Sequence, residues 1–455
     1  MNKKQVIFKI TKICTRYLIL FVCFFAALRM LQTVPFFGVE VMQINERTNF
    51  AVSILYLVIL FVFWQMFEAY GIEQRRLMDL IYGQFFGAVC TNVLFCVLVC
   101  AISTADLGVI ILAFLKLLAI EACLGIAWAV VFFQFYLRCQ SYKSALFVYG
   151  NRENCEETIQ INNSINSYFK ITESVHFDEG TETIAEKILG YQAVYIGDIP
   201  YEERNQLMKV CLKNRIACYS IPKISDIYIQ NTDVLQLHDK VLLRYRENGM
   251  TAEKRAVKRC LDIVVALLML IAASPFMLII MICIKAEDGG PVLYRQDRVT
   301  LNGKPFQMLK FRSMRVDAEK EGARLTAKND SRVTKIGKLI RNIHFDELPQ
   351  LINILRGDMS VVGPRPERKE FIEEYSQVIP EFTERLKVRG GLTGYAQVYG
   401  KYNTGPEEKA KYDLMYIYNY SLRLDIKLIF LTVRILFQKE NTEGVDEEQR
   451  SAVRK

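Results

Sequence analysis

Four long apolar stretches occupy the first 140 residues of the chain. They run from Tyr17 to Leu31 with some continuation to Phe37, from Ala51 to Phe67, from Leu80 to Ile102 and from Leu107 to Leu137. Each approaches or exceeds the roughly 20 apolar residues that cross a bilayer as a helix. The first stretch lacks the small-residue cleavage site of a signal peptide, and three more stretches follow it. The pattern predicts a retained four-helix transmembrane bundle over residues 1–140.

The charges between these stretches predict the orientation of the bundle. Basic residues precede the first stretch and follow the second and the fourth, for example Arg75 and Arg138. The other connections carry acidic residues such as Glu40 and Asp106. Because short cytoplasmic loops of membrane proteins are enriched in Lys and Arg, both ends of the bundle are expected in the cytoplasm.

From Ser144 the pattern alternates between strand-like and helix-like segments, which is typical of a parallel α/β sheet. We predict a Rossmann-like α/β domain with a connector over residues 141–250. The predicted strands are Ala145–Tyr149, Phe169–Val175, Ala193–Ile196 and Ala217–Ile221, and the predicted helices are Glu153–Asn163, Thr181–Leu189 and Glu202–Asn214.

The first strand-to-helix turn of this domain lacks the glycines that let a backbone approach a pyrophosphate. Residues 150–155 read Gly-Asn-Arg-Glu-Asn-Cys, with one glycine and an acid. NAD binding and a regulatory or oligomerising role are both open here, and the sequence favours the second.

A fifth apolar segment, Leu261–Ile284, is also long enough to span a bilayer. Ser274 and Pro275 lie at its middle, where proline removes a backbone donor and kinks a helix. Basic residues flank both ends, with Arg255 before the segment and Lys285 after it. Positive-inside reasoning therefore predicts a re-entrant helix over residues 261–284, with an ordinary kinked span as the alternative.

Two predicted strands beyond this segment, Val292–Arg298 and Phe306–Arg315, carry polar side chains in alternation. Two cations side by side on a strand suit a diphosphate, because Arg can grip phosphate oxygens bidentately. A solvated cationic strand face is the alternative. The side chains that share a face are Gln296 and Arg298 in the first strand, and Lys310 and Arg312 in the second.

An acidic pair, Asp346 and Glu347, comes shortly before Pro349. Proline is tolerated in the first turn of a helix, so Asp346 is expected to be the N-cap residue. A helix N-terminus attracts phosphate, and carboxylates act as covalent nucleophiles toward phosphorus. Asp346 is therefore a candidate nucleophile, with a simple helix cap as the competing interpretation.

Three further motifs follow. Arg365 stands between two prolines, which would present one cation rigidly to an anion. The glycines of Gly390–Gln397 permit close approach of backbone to a ligand. The mixture of aromatic, aliphatic and basic residues over Tyr412–Phe437 predicts one or two interfacial amphipathic helices.

Composition narrows the class of protein. The chain has 455 residues, of which 51% are hydrophobic and 24% charged, which excludes disorder and a small disulfide scaffold. The net charge of +9 comes mainly from the C-terminal half, where we expect an acidic partner other than nucleic acid, because the basic surface adjoins membrane-binding helices. Twelve cysteines without a Cys-x-x-Cys pair, and only three histidines, indicate a reducing compartment and no structural metal.

Taken in order, the motifs of the C-terminal half resemble the bacterial sugar transferases called polyprenyl-phosphate glycosyl-1-phosphate transferases. The resemblance covers residues 251–440, and the bundle with the α/β domain is similar to the long form of that family. Gly390 departs from the pattern, because many members have proline there. The motifs are Lys258-Arg259 with Asp262, Ser274-Pro275, Gly290-Pro291-Val292, Gln296 with Arg298, Lys310-Phe311-Arg312-Ser313-Met314, Asp346-Glu347-Leu348-Pro349-Gln350, Val362-Gly363-Pro364-Arg365-Pro366 and Leu392-Thr393-Gly394.

The resemblance implies an α+β catalytic domain over residues 251–455 and the first membrane step of exopolysaccharide, capsule or O-antigen synthesis. The implied reaction moves a sugar 1-phosphate from a UDP-sugar, UDP-glucose or UDP-galactose by expectation, to undecaprenyl phosphate and releases UMP. It would use Mg²⁺ and a ping-pong route through a phosphosugar on Asp346. Glu347 would act as a general base or would orient the metal or the acceptor.

The resemblance also implies the roles of the other motif residues, a homodimer through the middle domain, contact with membrane lipid, and a place in the bacterial inner membrane with the catalytic domain on the cytoplasmic face. Substrate contacts are expected from Lys310, Arg312, Arg365, Gln296, Arg298, Thr393, Gly394 and Gln397. Positioning of the re-entrant helix is expected from Lys258, Arg259, Asp262, Ser274 and Pro275.

Other functions compete with this one. A transporter or flippase would explain the apolar segments but not the motif-dense basic region. A nucleotide-sugar dehydratase or epimerase would need the glycine-rich loop that residues 150–155 lack. A non-enzymatic scaffold of polysaccharide assembly would not need the Asp346 and Glu347 pair.

Overall fold

The computed structural model describes residues 3–31, 46–72, 77–102, 105–139, 142–150, 158–159, 162, 169–230, 232–245, 250–315, 332–400 and 404–435. The chain divides into two compact units, Met1–Ile221 and Pro222–Lys455. The division of the chain into domains at residues 140 and 250 stays a prediction.

The first unit begins with four long apolar helices, as the hydrophobic pattern predicted. Each has a segment long and apolar enough to cross a membrane. The predicted continuation to Phe37, the acidic Glu40 and the basic Arg75 lie outside the described residues. The helices are α1 (Lys3–Leu31), α2 (Glu46–Met66), α3 (Leu77–Ile102) and α4 (Leu107–Cys139).

A buried carboxylate ties three of these helices together. Glu121 of α4 is 2% exposed. Its two oxygens accept hydrogen bonds from the Tyr56 hydroxyl of α2 and the Asn92 amide of α3, each at 2.6 Å. Because charge is costly inside an apolar bundle, pairing both oxygens is what makes this residue tolerable there.

The rest of the first unit contains a four-stranded parallel sheet in the order β2-β1-β3-β4. Alternate strand residues such as Leu146 and Val148 are buried against helical Ile184 and Leu207. The turn at residues 151–155 and nearly all of the predicted helix Glu153–Asn163 lie outside the described residues. The elements are β1 (Lys143–Tyr149), β2 (Phe169–His176), α5 (Thr181–Ile188), β3 (Ala193–Ile196), α6 (Tyr201–Lys213) and β4 (Ala217–Ser220).

The second unit mixes helices with short two-stranded sheets. Its antiparallel pairs are β5 with β6 and β7 with β8, and its parallel pair is β9 with β10. Its elements are α7 (Ile224–Ile229), β5 (Asp233–Leu237), β6 (Lys240–Arg244), α8 (Ala252–Asp288), β7 (Leu293–Val299), β8 (Pro305–Phe311), α9 (Lys335–Asn342), α10 (Gln350–Arg356), β9 (Ser360–Val362), α11 (Lys369–Val378), β10 (Gly391–Thr393), α12 (Tyr395–Tyr399), α13 (Pro406–Tyr418) and α14 (Leu422–Ile435).

The main core of the second unit packs α10, β9, α13 and α14 together. Leu351, Val362, Leu414 and Leu428 are fully or almost fully buried in it. Ile227 of α7 is buried in the same core, so the predicted connector begins inside this unit.

Helix α8 lies along the second unit for most of its 37 residues. Its buried positions are spaced by three, four or, around the middle of the helix, eleven residues, and all of these spacings return to one face of a helix. The opposite face is apolar and exposed, with Leu268, Ile271, Leu278 and Ile282 each more than half exposed. The buried positions are Lys258, Asp262, Ala266, Met277, Ile280 and Ile284.

Pro275 does not leave an unpaired carbonyl in α8. In a regular helix, the amide at position 275 would donate to the Ile271 carbonyl, and proline has no such amide. The Ser274 hydroxyl donates to that carbonyl instead, at 2.8 Å. Ser274 therefore satisfies the group that Pro275 abandons, which suits a helix in an apolar environment.

Three side chains near the start of α8 bind the main core of the second unit. Lys258 Nζ lies 2.7 Å from Asp425 Oδ2 on α14. Arg259 donates to the carbonyls of Ile354 and Leu355 at the C-terminus of α10, at 2.6 and 2.9 Å. The Ile354 carbonyl also accepts from the Gly357 amide at 3.0 Å. Arg259 therefore adds a side-chain donor to the capped C-terminus of α10.

Asp262 completes this anchor. Its Oδ1 accepts hydrogen bonds from the Ser360 hydroxyl at 2.9 Å and the Val361 amide at 3.0 Å, both on β9. Because these partners belong to α10, α14 and β9, the base of α8 is fixed to three elements at once.

The expectation of interfacial helices over Tyr412–Phe437 is wrong for the first of the two. Helix α13 is largely buried. The Tyr416 hydroxyl donates to the Val362 carbonyl at 3.1 Å and to Asp425 Oδ1 at 2.7 Å. The aromatic pattern predicts membrane anchors here because a buried tyrosine with a partner and an interfacial one look alike in sequence.

We predict that Asp425→Asn lowers the thermal unfolding midpoint of the second unit, because it leaves the buried Lys258 ammonium without its close partner. The loss should correspond to about 3–5 kcal/mol. Adding Lys258→Met should recover most of it. Detergent-solubilised protein followed by intrinsic fluorescence gives the measurement.

The matched control is Lys369→Met, which breaks an ion pair with Glu373 whose side chains are 76% and 63% exposed. Exposed pairs contribute at most about 1 kcal/mol, so the midpoint should hardly move. An Asp425→Asn midpoint equal to that of the control would contradict the anchor.

Candidate active site

Two cations grip the carboxylate of Glu347. Lys310 Nζ on β8 lies 3.1 Å from Glu347 Oε1, and Arg365 reaches the same oxygen at 2.6 Å. The Glu347 side chain is 14% exposed, whereas that of Arg365 is 45% exposed. Residues from three separate segments of sequence therefore meet at one carboxylate, with the arginine on the solvent side.

Asp346, next to this clamp, is not a helix N-cap as the sequence predicted. It lies in a 3₁₀ turn, Phe345–Glu347, and α10 begins only after Pro349. The turn follows His344, whose φ of 55° is left-handed and stops the preceding chain from running into α10 as one helix. Asp346 is 8% exposed.

The two adjacent carboxyls have opposite electrostatic environments. Burial, followed by the charge of Glu347, raises the pKa of Asp346 above its usual value. Burial also acts to raise the pKa of Glu347, but Arg365 and Lys310 outweigh it and hold that pKa below its usual range. Neighbouring carboxyls whose pKa values are pushed apart can take two different roles in one site.

The β7–β8 hairpin carries Lys310 to this position. Lys310 pairs across the hairpin with Tyr294, so its place along the strand is set by the register. Asn353 on α10 then fixes β8 to the acidic segment. Its Oδ1 accepts from the Leu309 amide at 2.9 Å, and its Nδ2 donates to the Gln307 carbonyl at 2.8 Å.

Gln296 and Arg298, predicted to share a face of β7, lie together. The described hydrogen bonds of Arg298 run to Gln296 and to residues 363–367, the segment that carries Arg365 and is called the arginine loop below. Arg298 donates to Gln296 Oε1 at 2.9 Å and to the Pro366 carbonyl at 3.1 Å. It also pairs with Glu367 at 3.2 Å. The Arg298 side chain is 16% exposed. Its contacts with Pro366 and Glu367 hold the loop that carries Arg365.

Arg312 shares the face of β8 with Lys310 but pairs with Asp288 at the C-terminus of α8. It is 7% exposed, and its Nε and one terminal nitrogen have no hydrogen-bond partner within the part of the chain that the structure describes. The structure thus brings Lys310, but not Arg312, into contact with the acidic pair.

The β10 region carries Thr393, Gly394 and Gln397. Their described contacts are with other parts of the second unit and not with Asp346 or Glu347. The Thr393 hydroxyl lies 2.5 Å from the Thr432 hydroxyl of α14. A Cβ on Gly394 would lie 2.1 Å from the Gly363 carbonyl, so this position has no room for a side chain. Gln397 Nε2 donates to the Leu392 carbonyl at 3.4 Å.

Sequence reasoning missed several buried polar residues that position the site: Asn353, Ser360, Arg385, Asp413, Tyr416 and Asp425. One signal was available for Asn353, because it is a polar residue within the apolar run Leu351–Leu355 of a short helix. The partners of the others lie far away in sequence, and no local pattern reveals them.

Two adjacent carboxyl groups, Asp346 and Glu347, lie at the centre of this cluster. Within the described ranges no group of three or more His, Cys, Asp or Glu side chains is gathered as a metal site. Mg²⁺ needs fewer protein ligands, because it is commonly held by one or two carboxylates together with substrate phosphates and water. The Asp346 and Glu347 pair therefore fits Mg²⁺ in the presence of a diphosphate substrate.

Comparison with known proteins identifies the family. The model of the bacterial sugar transferase family matches residues 253–439. The glucose-1-phosphate transferase acting on UDP-glucose and undecaprenyl phosphate from Caulobacter vibrioides is 42% identical over 190 residues, which cover 40% of this chain and 71% of that protein. The chain belongs to the bacterial sugar transferase family.

Other relatives carry names with different sugars. The UDP-N-acetylgalactosamine-undecaprenyl-phosphate N-acetylgalactosaminephosphotransferase of Aeromonas hydrophila is 36% identical over 237 residues, 51% of this chain and 55% of that protein. The undecaprenyl-phosphate galactose phosphotransferase of Salmonella typhimurium is 34% identical over 237 residues, 48% and 49% of the two chains. The chain thus spans about half the length of these two relatives.

Proposed function

We propose that this chain transfers a sugar 1-phosphate from a UDP-sugar to undecaprenyl phosphate and releases UMP. The observation that carries the proposal is the buried Asp346 beside a carboxylate clamped by Lys310 and Arg365, in a chain of the bacterial sugar transferase family. Cations held next to a carboxylate nucleophile suit a reaction at a phosphorus atom that already bears negative charge.

The reaction proceeds in two displacements at the same phosphorus. An Asp346 oxygen attacks the sugar-linked phosphorus of the donor, the bond from that phosphorus to the bridging oxygen breaks, and UMP leaves. An oxygen of the lipid phosphate then attacks the phosphosugar on Asp346 and restores the free carboxylate. Splitting one transfer into two displacements is the general advantage of covalent catalysis.

Glu347 orients the site rather than removing a proton. Its Oε1 already accepts from two cations, which it holds where the phosphates of the substrate would come. The lipid phosphate needs no base, because a phosphate monoester with a second pKa near 6 is largely a dianion at neutral pH. Mg²⁺, held by the acidic pair and the diphosphate, would neutralise phosphate charge when bound.

UDP-glucose and UDP-galactose are the proposed donors, and the named relatives make UDP-N-acetylgalactosamine a third candidate. A homodimer through the middle domain stays a prediction.

We further propose that the site lies on the cytoplasmic face of the bacterial inner membrane and that α8 enters the bilayer without crossing it. The support is that both ends of α8 bind the same compact unit. Lys258 near its start pairs with Asp425, and Asp288 at its end pairs with Arg312. The exposed apolar face between these ends would lie in one leaflet.

The proposed reaction predicts UMP release from one UDP-sugar when purified protein is supplied with Mg²⁺ and undecaprenyl phosphate. The panel should contain UDP-glucose, UDP-galactose and UDP-N-acetylgalactosamine. Asp346→Asn should lower the rate by more than about 1,000-fold, because an amide is not a nucleophile toward phosphorus. Coupled detection of UMP gives the rate.

Asn342→Asp is the matched control, because it alters an exposed residue of α9 just upstream of the acidic pair and should leave the rate within about twofold. Release from no donor, or equal release by parent and Asp346→Asn protein, would overturn the proposal.

The membrane placement predicts that both ends of α8 react from the same side of the membrane. Cysteines placed at Glu253 and at Lys304, in a cysteine-free background, should both label with an impermeant maleimide in inside-out vesicles and neither in right-side-out vesicles. Opposite labelling of the two positions would identify α8 as an ordinary span.

A further inference from the structure

The loop that carries Arg365 is held through its backbone. Four consecutive carbonyls, from residues 364 to 367, each accept a hydrogen bond from elsewhere in the second unit. The donors are the Gly391 amide at 2.8 Å, Arg385 at 2.9 Å, Arg298 at 3.1 Å and the Val299 amide at 3.1 Å. With the backbone fixed in this way, the Arg365 side chain projects to Glu347 from a rigid base.

Arg385 is the donor in this set that bonds to Arg365 itself. It lies in the 3₁₀ segment Pro380–Lys387 and donates to the carbonyl of Arg365 itself. The same terminal nitrogen lies 2.8 Å from Asp413 Oδ2 on α13. The two side chains are 4% and 1% exposed, so the pair is removed from solvent.

A buried ion pair of this kind is a poor stabiliser, because taking two charges out of water costs about as much as their attraction returns. Apolar residues of similar volume often serve stability equally well. Apolar residues would not donate a hydrogen bond to the Arg365 carbonyl, as Arg385 does.

We propose that Arg385, held by Asp413, is a positioning residue that sets the Arg365 guanidinium over Glu347 and the substrate phosphates. The proposal rests on the proposed function, because it gives Arg385 its effect only through Arg365. A displacement of about 1 Å at a positioned group can cost on the order of 100-fold in rate.

The test replaces the pair by apolar residues in the full-length chain. The double variant Arg385→Met with Asp413→Leu, called the apolar pair below, removes both charges of the ion pair together. The protein should therefore fold with an unchanged unfolding midpoint. Its kcat/KM for the UDP-sugar should fall about 10- to 100-fold. Arg385→Lys, which keeps one donor, should recover part of that loss.

The control is Lys411→Met on the same helix as Asp413. The Lys411 side chain is 9% exposed and pairs with Glu407 and Glu408, away from the arginine loop. Its kcat/KM should stay within about threefold of the parent, whatever it does to stability. An equal loss in the control and the apolar pair would overturn the proposal.

A double-mutant cycle separates positioning from general damage. In an Arg365→Ala background, the apolar pair should lower kcat/KM by less than about twofold further, because the group that it positions is already absent. Full additivity of the two losses would overturn the proposal.

Hydrogen exchange tests whether Arg385 holds the arginine loop, without any measurement of activity. Amides of residues 361–368 should exchange at least tenfold faster in the apolar-pair variant, while those of 350–356 in α10 keep the parental rate. If the parent releases no UMP from any donor, the proposed function fails. This comparison of exchange rates still decides whether Arg385 holds the arginine loop. Unchanged exchange over 361–368 would overturn the proposal.

Discussion

The structure of the second unit depends on the polar contacts that bind the base of α8 to the main core of that unit. Lys258, Arg259 and Asp262 pair with α14, α10 and β9, respectively. An apolar helix on its own would fix only a depth in the bilayer, because apolar contacts are not directional. The buried ion pair and hydrogen bonds give α8 a single register against the elements that carry the acidic pair and the arginine loop.

The same three elements connect the membrane-facing helix to the chemistry. Helix α10 follows the turn that holds Asp346, and its last carbonyls are capped by Arg259. Strand β9, held by Asp262, leads directly into the loop that carries Arg365. The proposed nucleophile and Arg365 are therefore both fixed relative to α8, which would keep them at a constant distance from a proposed lipid phosphate acceptor.

Much of the fold could be predicted from local patterns. The strand Ala193–Ile196 and the helix near Glu202–Asn214 follow from hydrophobic periodicity, and the facing side chains of β7 and β8 follow from alternation. The predicted N-cap at Asp346 failed because the left-handed backbone of His344 has no clear sequence signal. Asp425, Asp413 and Arg385 were missed because their partners are distant in sequence, and a buried charge resembles a solvated one until its partner is known.

The central claim, that Asp346 carries the phosphosugar between the two displacements, has a direct test. Protein incubated with Mg²⁺ and UDP-sugar labelled with ³²P at the sugar-linked phosphate, without undecaprenyl phosphate, should retain label on the peptide that contains Asp346. The label should leave when undecaprenyl phosphate is added, and Asp346→Asn protein should retain none. Turnover of the parent with both substrates, but with no label on the protein in the absence of the acceptor, would contradict the account and indicate direct transfer between the two substrates.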